Sequence, residues 1–284
     1  PHRTVRGNID YPLKLRRIST EERQRRVEAM AAKLDLSRLL ERRPYQLSGG
    51  EAQRVALARA LVRQPSCFLM DEPLSSLDPQ LRLQARTELR RVQREADVTT
   101  IHVTHDQDEA VALGDRIAIM NEGSLVQVGE PDQLFDEPRN VFVATFLGTP
   151  PMNLLRGKIA GWDRGLATVL VSIGDRTEAL SLALPGTDPG ELILGFRPGA
   201  LSLSDPGTVG DGVSELVIPG VVAWVQGVGG DYVAHCGTAV GAVAVRASVR
   251  SAPGAVAIRF PLSQAHYFNA LTGERLRTLG AKLV

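Results

Sequence analysis

No Gly-x-x-x-x-Gly-Lys-Ser/Thr occurs in this chain of 284 residues, and lysine itself is scarce: Lys14, Lys33, Lys158 and Lys282 are the four. The common backbone cradle for nucleotide phosphates is therefore not spelled out here. Cysteine is scarcer still. Cys67 lies in an apolar run and Cys236 in a glycine-rich one, which excludes a disulfide framework and fits a reducing compartment. His235, Cys236 and His266 lack the spacing of metal ligands and read as ordinary strand residues. No apolar stretch approaches the ~18 residues needed to span a bilayer. The opening Pro1-His2-Arg3 is neither an initiator methionine nor a signal peptide, so the chain is expected to have been cut or processed. A formal net charge of +1 argues against bulk nucleic-acid binding.

What is present is an ordinary soluble composition, 43% apolar and 23% charged, with room for one large domain or two ordinary ones. Its character changes near residue 150. The first 150 residues hold 22 of the 33 Lys/Arg but only 7 of the 27 glycines. Mixed helix and strand are expected first, then a small all-β module of short Val/Ala/Leu strands. Paired prolines in Gly148-Thr149-Pro150-Pro151 mark the break, giving domains at 1–148 and 149–284.

Ser19 and Glu22 have capping-box spacing. Behind them Val27, Met30, Ala31 and Leu34 share one helix face. Arg23, Arg25, Arg26 and Lys33 fall mostly on the other face, read as solvated. Ser48 with Glu51 repeats the box, opening a helix that ends before Pro65. Residues 67–70 are continuously apolar, as in a strand buried on both faces. A helix from Asp78-Pro79 to Arg94, a strand over 98–103 and a hairpin turning at Asn121-Glu122-Gly123 follow. Strand and helix in alternation imply a parallel sheet, hence an α/β fold.

Three places carry candidate chemistry. Ser48-Gly49-Gly50 leaves backbone N–H groups bare at a helix N-terminus, a ready phosphate site, although Ser-Gly-Gly alone is commonly a turn. Asp71 and Glu72 end a buried strand, where open α/β sheets bind ligands. An aspartate there can hold Mg²⁺, and an adjacent glutamate can orient or deprotonate water. Ser75-Ser76-Leu77-Asp78 is a helix N-cap followed by Pro79 at the first helical position.

Leu47-Ser48-Gly49-Gly50-Glu51-Ala52-Gln53-Arg54, followed by Cys67-Phe68-Leu69-Met70-Asp71-Glu72-Pro73, resembles the signature and Walker B segments of the ATP-binding-cassette (ABC) ATPases. The resemblance implies nucleotide contacts for Ser48, Gly49, Gly50 and Gln53, a magnesium role for Asp71 and a catalytic-base role for Glu72. Ser75 to Asp78 looks like the family's D-loop at the dimer interface. His105, in Val103-Thr104-His105-Asp106, matches the switch histidine that meets the γ-phosphate. Gly148-Thr149-Pro150-Pro151-Met152-Asn153-Leu154 and Gly195-Phe196-Arg197-Pro198 look like motifs of the carbohydrate-import branch, the maltose/glycerol-phosphate type. That branch carries a C-terminal OB-like regulatory barrel, and the short strands over 192–196, 216–225, 232–235 and 255–259 suit one.

The family's P-loop would lie upstream, so the resemblance implies an N-terminally incomplete P-loop NTPase domain followed by the β module. It further implies ATP and Mg²⁺ as cofactors, and a head-to-tail dimer with a second ATPase subunit. The expected partners are transmembrane permease subunits, with a solute-binding protein reached indirectly and no nucleic acid. The expected place is the cytoplasmic face of the plasma membrane, peripherally attached. The expected function is ATP hydrolysis powering uptake of a sugar or related solute, with the chain as given inactive alone. Two alternatives stand beside it: a non-transport ABC ATPase of the DNA-repair or chromosome type, and a truncated regulatory protein.

Overall fold

In a computed structural model of the chain, all residues are described except 76–78, 97, 164, 185–189, 211–213, 278–280 and 284. The chain packs as two compact units, Pro1–Ile117 and Ala118–Val284.

The first unit opens with three helices. They are α1 (Val5–Leu15), α2 (Thr20–Lys33) and α3 (Gly49–Leu61). Val5, Ile9 and Leu13 recur every fourth residue on α1, are fully buried, and share a core with Val27 and Ala31 from α2, Leu34 just past its end, and Val55, Ala58 and Leu61 from α3. Each such buried aliphatic side chain contributes roughly 1.5–3 kcal/mol relative to exposure. Both expected caps form, with one difference. Ser48 and Glu51 make the full reciprocal box at α3. At α2 the Ser19 hydroxyl accepts from Glu22 N, but the Glu22 carboxylate turns to Arg25 and Arg26. Two guanidinium donors outcompete one backbone N–H, and they hold the Glu22 carboxyl down at about 2.

Next come β1 (Cys67–Asp71), α4 (Pro79–Ala96), β2 (Thr99–Val103) and α5 (Gln107–Leu113). β1 and β2 pair in parallel, Leu69 opposite Ile101 and Asp71 opposite Val103. The strand at 67–71 is buried on one face only, contrary to the sequence expectation. Phe68 and Met70 turn toward the helices, whereas Leu69 is 77% exposed and Cys67 lies open beside it. A two-residue alternation sends neighbours to opposite faces, and only the helix-facing one is covered among the described residues.

The second unit begins with the hairpin of β3 (Ile117–Asn121) and β4 (Ser124–Gly129), turning on Glu122 and Gly123 at positive φ. Two short helices, α6 (Pro131–Asp136) and α7 (Val141–Phe146), lead into antiparallel sheets. The strands are β5 (Asn153–Asp163), β6 (Leu166–Ile173), β7 (Arg176–Ala183), β8 (Glu191–Phe196), β9 (Ser202–Ser204), β10 (Glu215–Val228), β11 (Asp231–Thr238), β12 (Gly241–Ala247), β13 (Gly254–Pro261), β14 (His266–Asn269), β15 (Arg275–Leu276) and β16 (Ala281–Leu283). Seven form one sheet in the order β15-β14-β8-β5-β6-β7-β16, and five form another in the order β12-β11-β10-β13-β9. The two sheets share one core, in which Phe196 and Phe260 meet edge to face with centroids 5.1 Å apart. The expected β module is thus present as two sheets; no strand pairing among the described residues closes them into one ring.

Two polar side chains organise this unit. Asn153, at the start of β5, donates to Ala244 O (2.9 Å) and Phe196 O (3.3 Å) and accepts from Ala244 N (2.8 Å). Its amide extends the edge strand β12 as a peptide group would, stitching the sheets together. Arg197, buried at the end of β8, donates to Ala144 O, Leu147 O and Phe135 O, and its guanidinium lies 3.9 Å over the Phe135 ring. Three carbonyls at or beside the ends of α6 and α7 thus share one cation, which suits the negative end of a helix. Burial still lowers the Arg197 pKa to about 10.

Candidate functional site

The C-terminal ends of β1 and β2 bring Glu72 and His105 together. His105 Nδ1 lies 3.0 Å from Glu72 Oε1, with both side chains largely open to solvent. Glu72 sits at φ 43°, in the left-handed region, a conformation that costs on the order of 1 kcal/mol or more and needs support from its surroundings. That support is local. Glu72 N donates to Val103 O at 2.8 Å, and the Ser75 hydroxyl and N–H both donate to Glu72 O. The turn thereby lifts the carboxylate off the strand axis toward His105. Asp71, one residue earlier, ends β1 with its side chain exposed.

Ser48, Gly49 and Gly50 form the first turn of α3. A helix leaves its first N–H groups without internal acceptors, and a side chain at Gly50 would meet nothing within 4 Å. The space beside Gly50 is thus open, while the Ser48 hydroxyl takes Glu51 N and the Glu51 carboxylate takes Ser48 N. Gln53 follows on the same helix, its Oε1 buried and without a hydrogen-bond partner among the described residues. Among the described residues, no hydrogen bond or ion pair joins Ser48, Gly49, Gly50 or Gln53 to Asp71, Glu72 or His105. Asp78, the remaining candidate, lies outside the described residues.

Sequence reasoning passed over a buried carboxylate that meets the residue just before His105. Glu109 on α5 is 2% exposed, and its carboxylate meets His102 Nε2 at 2.5 Å and the Thr104 hydroxyl at 3.0 Å. A signal for it existed. Asp106 and Glu109 stand at N-cap and N3 spacing, and Asp106 Oδ1 does accept from Glu109 N. Glu109 itself declines the reciprocal bond of a capping box and turns back to the strand, because Thr104 Oγ1 already takes Asp106 N.

Strand-end carboxylates, a histidine beside the second of them and a glycine-opened helix N-terminus define a protein of the nucleotide-hydrolysing α/β class. Residues 1–75 match the family described as ABC transporter. The chain is 42% identical to the trehalose/maltose import ATP-binding protein MalK of Thermococcus litoralis, over 97% of this chain and 75% of that protein. It is 40% identical to the sn-glycerol-3-phosphate import ATP-binding protein UgpC 3 of Rhizobium etli, over 97% and 74% respectively. A third relative, UgpC of Cereibacter sphaeroides, is 42% identical over 97% and 75%. The chain belongs to the ABC-transporter family, among the ATP-binding proteins of importers.

Proposed function

We propose that this protein is the ATP-hydrolysing subunit of an importer that takes up a sugar or a related solute through a membrane permease. The observation that carries the reading is the contact between His105 and Glu72 at the carboxyl ends of two parallel strands. In this reading Glu72 takes a proton from the attacking water and His105 steadies the terminal phosphate. Asp71 offers Mg²⁺ a hard oxygen donor at an open strand end, as that ion requires. Mg²⁺, when bound, neutralises charge on the phosphates. Ser48, Gly49, Gly50 and Gln53 serve the nucleotide of a second copy, in a homodimer paired head to tail, and Asp78 belongs to the same interface. The names of the relatives support a sugar or glycerol phosphate as solute class. No described helix is long and apolar enough to cross a membrane, so attachment at the cytoplasmic face would come through the permease.

Residues 1–148 carry the ATPase machinery in this reading, and 149–284 a regulatory module, although α6 and α7 pack with the β sheets in the second compact unit. The reading is tested in the assembled importer. Glu72→Gln should lower Mg-ATP turnover by about 100-fold or more, and unchanged turnover would sink it.

A further inference from the structure

His105 is not held by packing: its side chain is 73% exposed and its one polar contact among the described residues is Glu72. Where it points is therefore decided by the backbone of residues 104–106. Four interactions enclose that backbone. Glu109 receives His102 Nε2 on one carboxylate oxygen and the Thr104 hydroxyl on the other. Thr104 Oγ1 accepts from Asp106 N at 3.0 Å, and Asp106 Oδ1 accepts from Glu109 N at 3.1 Å. The last residues of β2 and the first turn of α5 are thus closed into a ring around His105.

The ring is itself anchored. α4 reaches both ends of α5: Arg82 pairs with Asp106 at 3.4 Å, while Arg90 donates to Leu113 O and to Asp115. α5 is therefore fastened at its two termini, and Glu109 projects from a fixed helix. A carboxylate this deeply buried costs several kcal/mol unless both oxygens are satisfied. His102 Nε2 lies within hydrogen-bond reach of one carboxylate oxygen, and the Thr104 hydroxyl donates to the other. His102 Nδ1 has no hydrogen-bond partner among the described residues. His102 and Thr104 cannot swing away without stranding the charge, so Glu109 converts a burial penalty into a fixed strand end.

We propose that Glu109 is a positioning residue for ATP hydrolysis. Through His102 and Thr104 it fixes the backbone on both sides of His105, so that the imidazole stays within hydrogen-bond reach of Glu72. The role rests on the reading that Glu72 and His105 act on the terminal phosphate of ATP.

The chain has only five histidines, so ring signals of the ¹⁵N-histidine-labelled full chain are assignable by NMR. Glu72→Gln supplies the reference for a His105 that has lost its carboxylate. In Glu109→Ala the His105 ring signal should move to that reference while the chain still unfolds cooperatively. Glu109→Gln, which keeps one acceptor oxygen, should leave it between the two. Should Glu109→Ala fail to fold, His102→Gln takes its place with the same readout. In the assembled importer, Glu109→Ala should lower kcat roughly 10- to 100-fold, as a misplaced catalytic group does, with KM for Mg-ATP changed by less than about two-fold. A folded variant whose His105 signal stays at the wild-type position overturns the inference. So does a moved signal with kcat intact. Loss of turnover in Glu72→Gln with none in Glu109→Ala removes only the positioning role, whereas no loss in either removes the hydrolytic reading beneath it.

Discussion

Replacing Asn153 should unfasten the two β sheets from each other. The side chain is 8% exposed and makes three hydrogen bonds, two of them with the backbone of Ala244 on the edge strand β12. Asn153→Leu keeps the volume and removes all three, leaving backbone groups of Ala244 and Phe196 without that partner. At about 1 kcal/mol per lost bond, and more where a buried group is stranded, the cost comes to roughly 2–4 kcal/mol. For a unit of this size that lowers the unfolding midpoint by roughly 5–15 °C. Intrinsic fluorescence suits the assay, because both tryptophans, Trp162 and Trp224, lie in the β unit. Asn153→Asp sharpens the test. It keeps the acceptor for Ala244 N but turns an oxygen toward two carbonyls, so the protonated acid is the form the fold accepts. Its folded pKa is then raised above the ~3.9 of an unfolded aspartate. Stability of that variant should be greatest below the unfolded pKa and fall as pH rises through the folded one. If Asn153→Asp left the protein as stable as wild type at pH 7, with no such slope, the stitch would be refuted.

His266 is pushed down to about 4, chiefly by burial and then by Arg275 and Arg197, with Asp136 opposing. A histidine with a depressed folded pKa contributes stability above its unfolded pKa that is lost as pH falls through the folded value. The β unit should therefore weaken between about pH 6.5 and about pH 4, and His266→Gln should flatten that part of the profile; an unchanged slope would show that other groups set it. Arg197→Lys keeps the charge but supplies one compact donor head where the guanidinium reaches three carbonyls. It should cost about 2–4 kcal/mol in denaturant unfolding; a loss below about 0.5 kcal/mol would mean the three contacts contribute nothing net.

Local patterns carried most of the first unit. Val27, Ala31 and Leu34 announce their helix face by spacing, and Ser48 with Glu51 announces where α3 begins. The motif residues Glu72 and His105 were legible as types in order, and their 3.0 Å meeting follows from parallel pairing that the alternation already implied. Polar bonds reaching back from a helix to the preceding strand end were not legible. Glu109 follows local rules at its N–H and breaks them at its carboxylate, because its partners are a histidine near the end of β2 and the threonine just past it. α1 was missed because Pro12 sits inside it, and proline normally ends a helix. Exposure of Leu69 was missed because a run of apolar residues does not say how many faces will be covered.

The reach of Arg197 bears on how such a protein can be divided or recombined. A cut at Gly148, where the sequence suggests a joint, would part the guanidinium from Phe135 O, Ala144 O and Leu147 O. The β half would inherit a buried cation without its acceptors, and the other half two helices without their lid. Any exchange of the β region between relatives would have to carry α6 and α7 with it, so the inheritable module begins well ahead of the prolines that punctuate the chain.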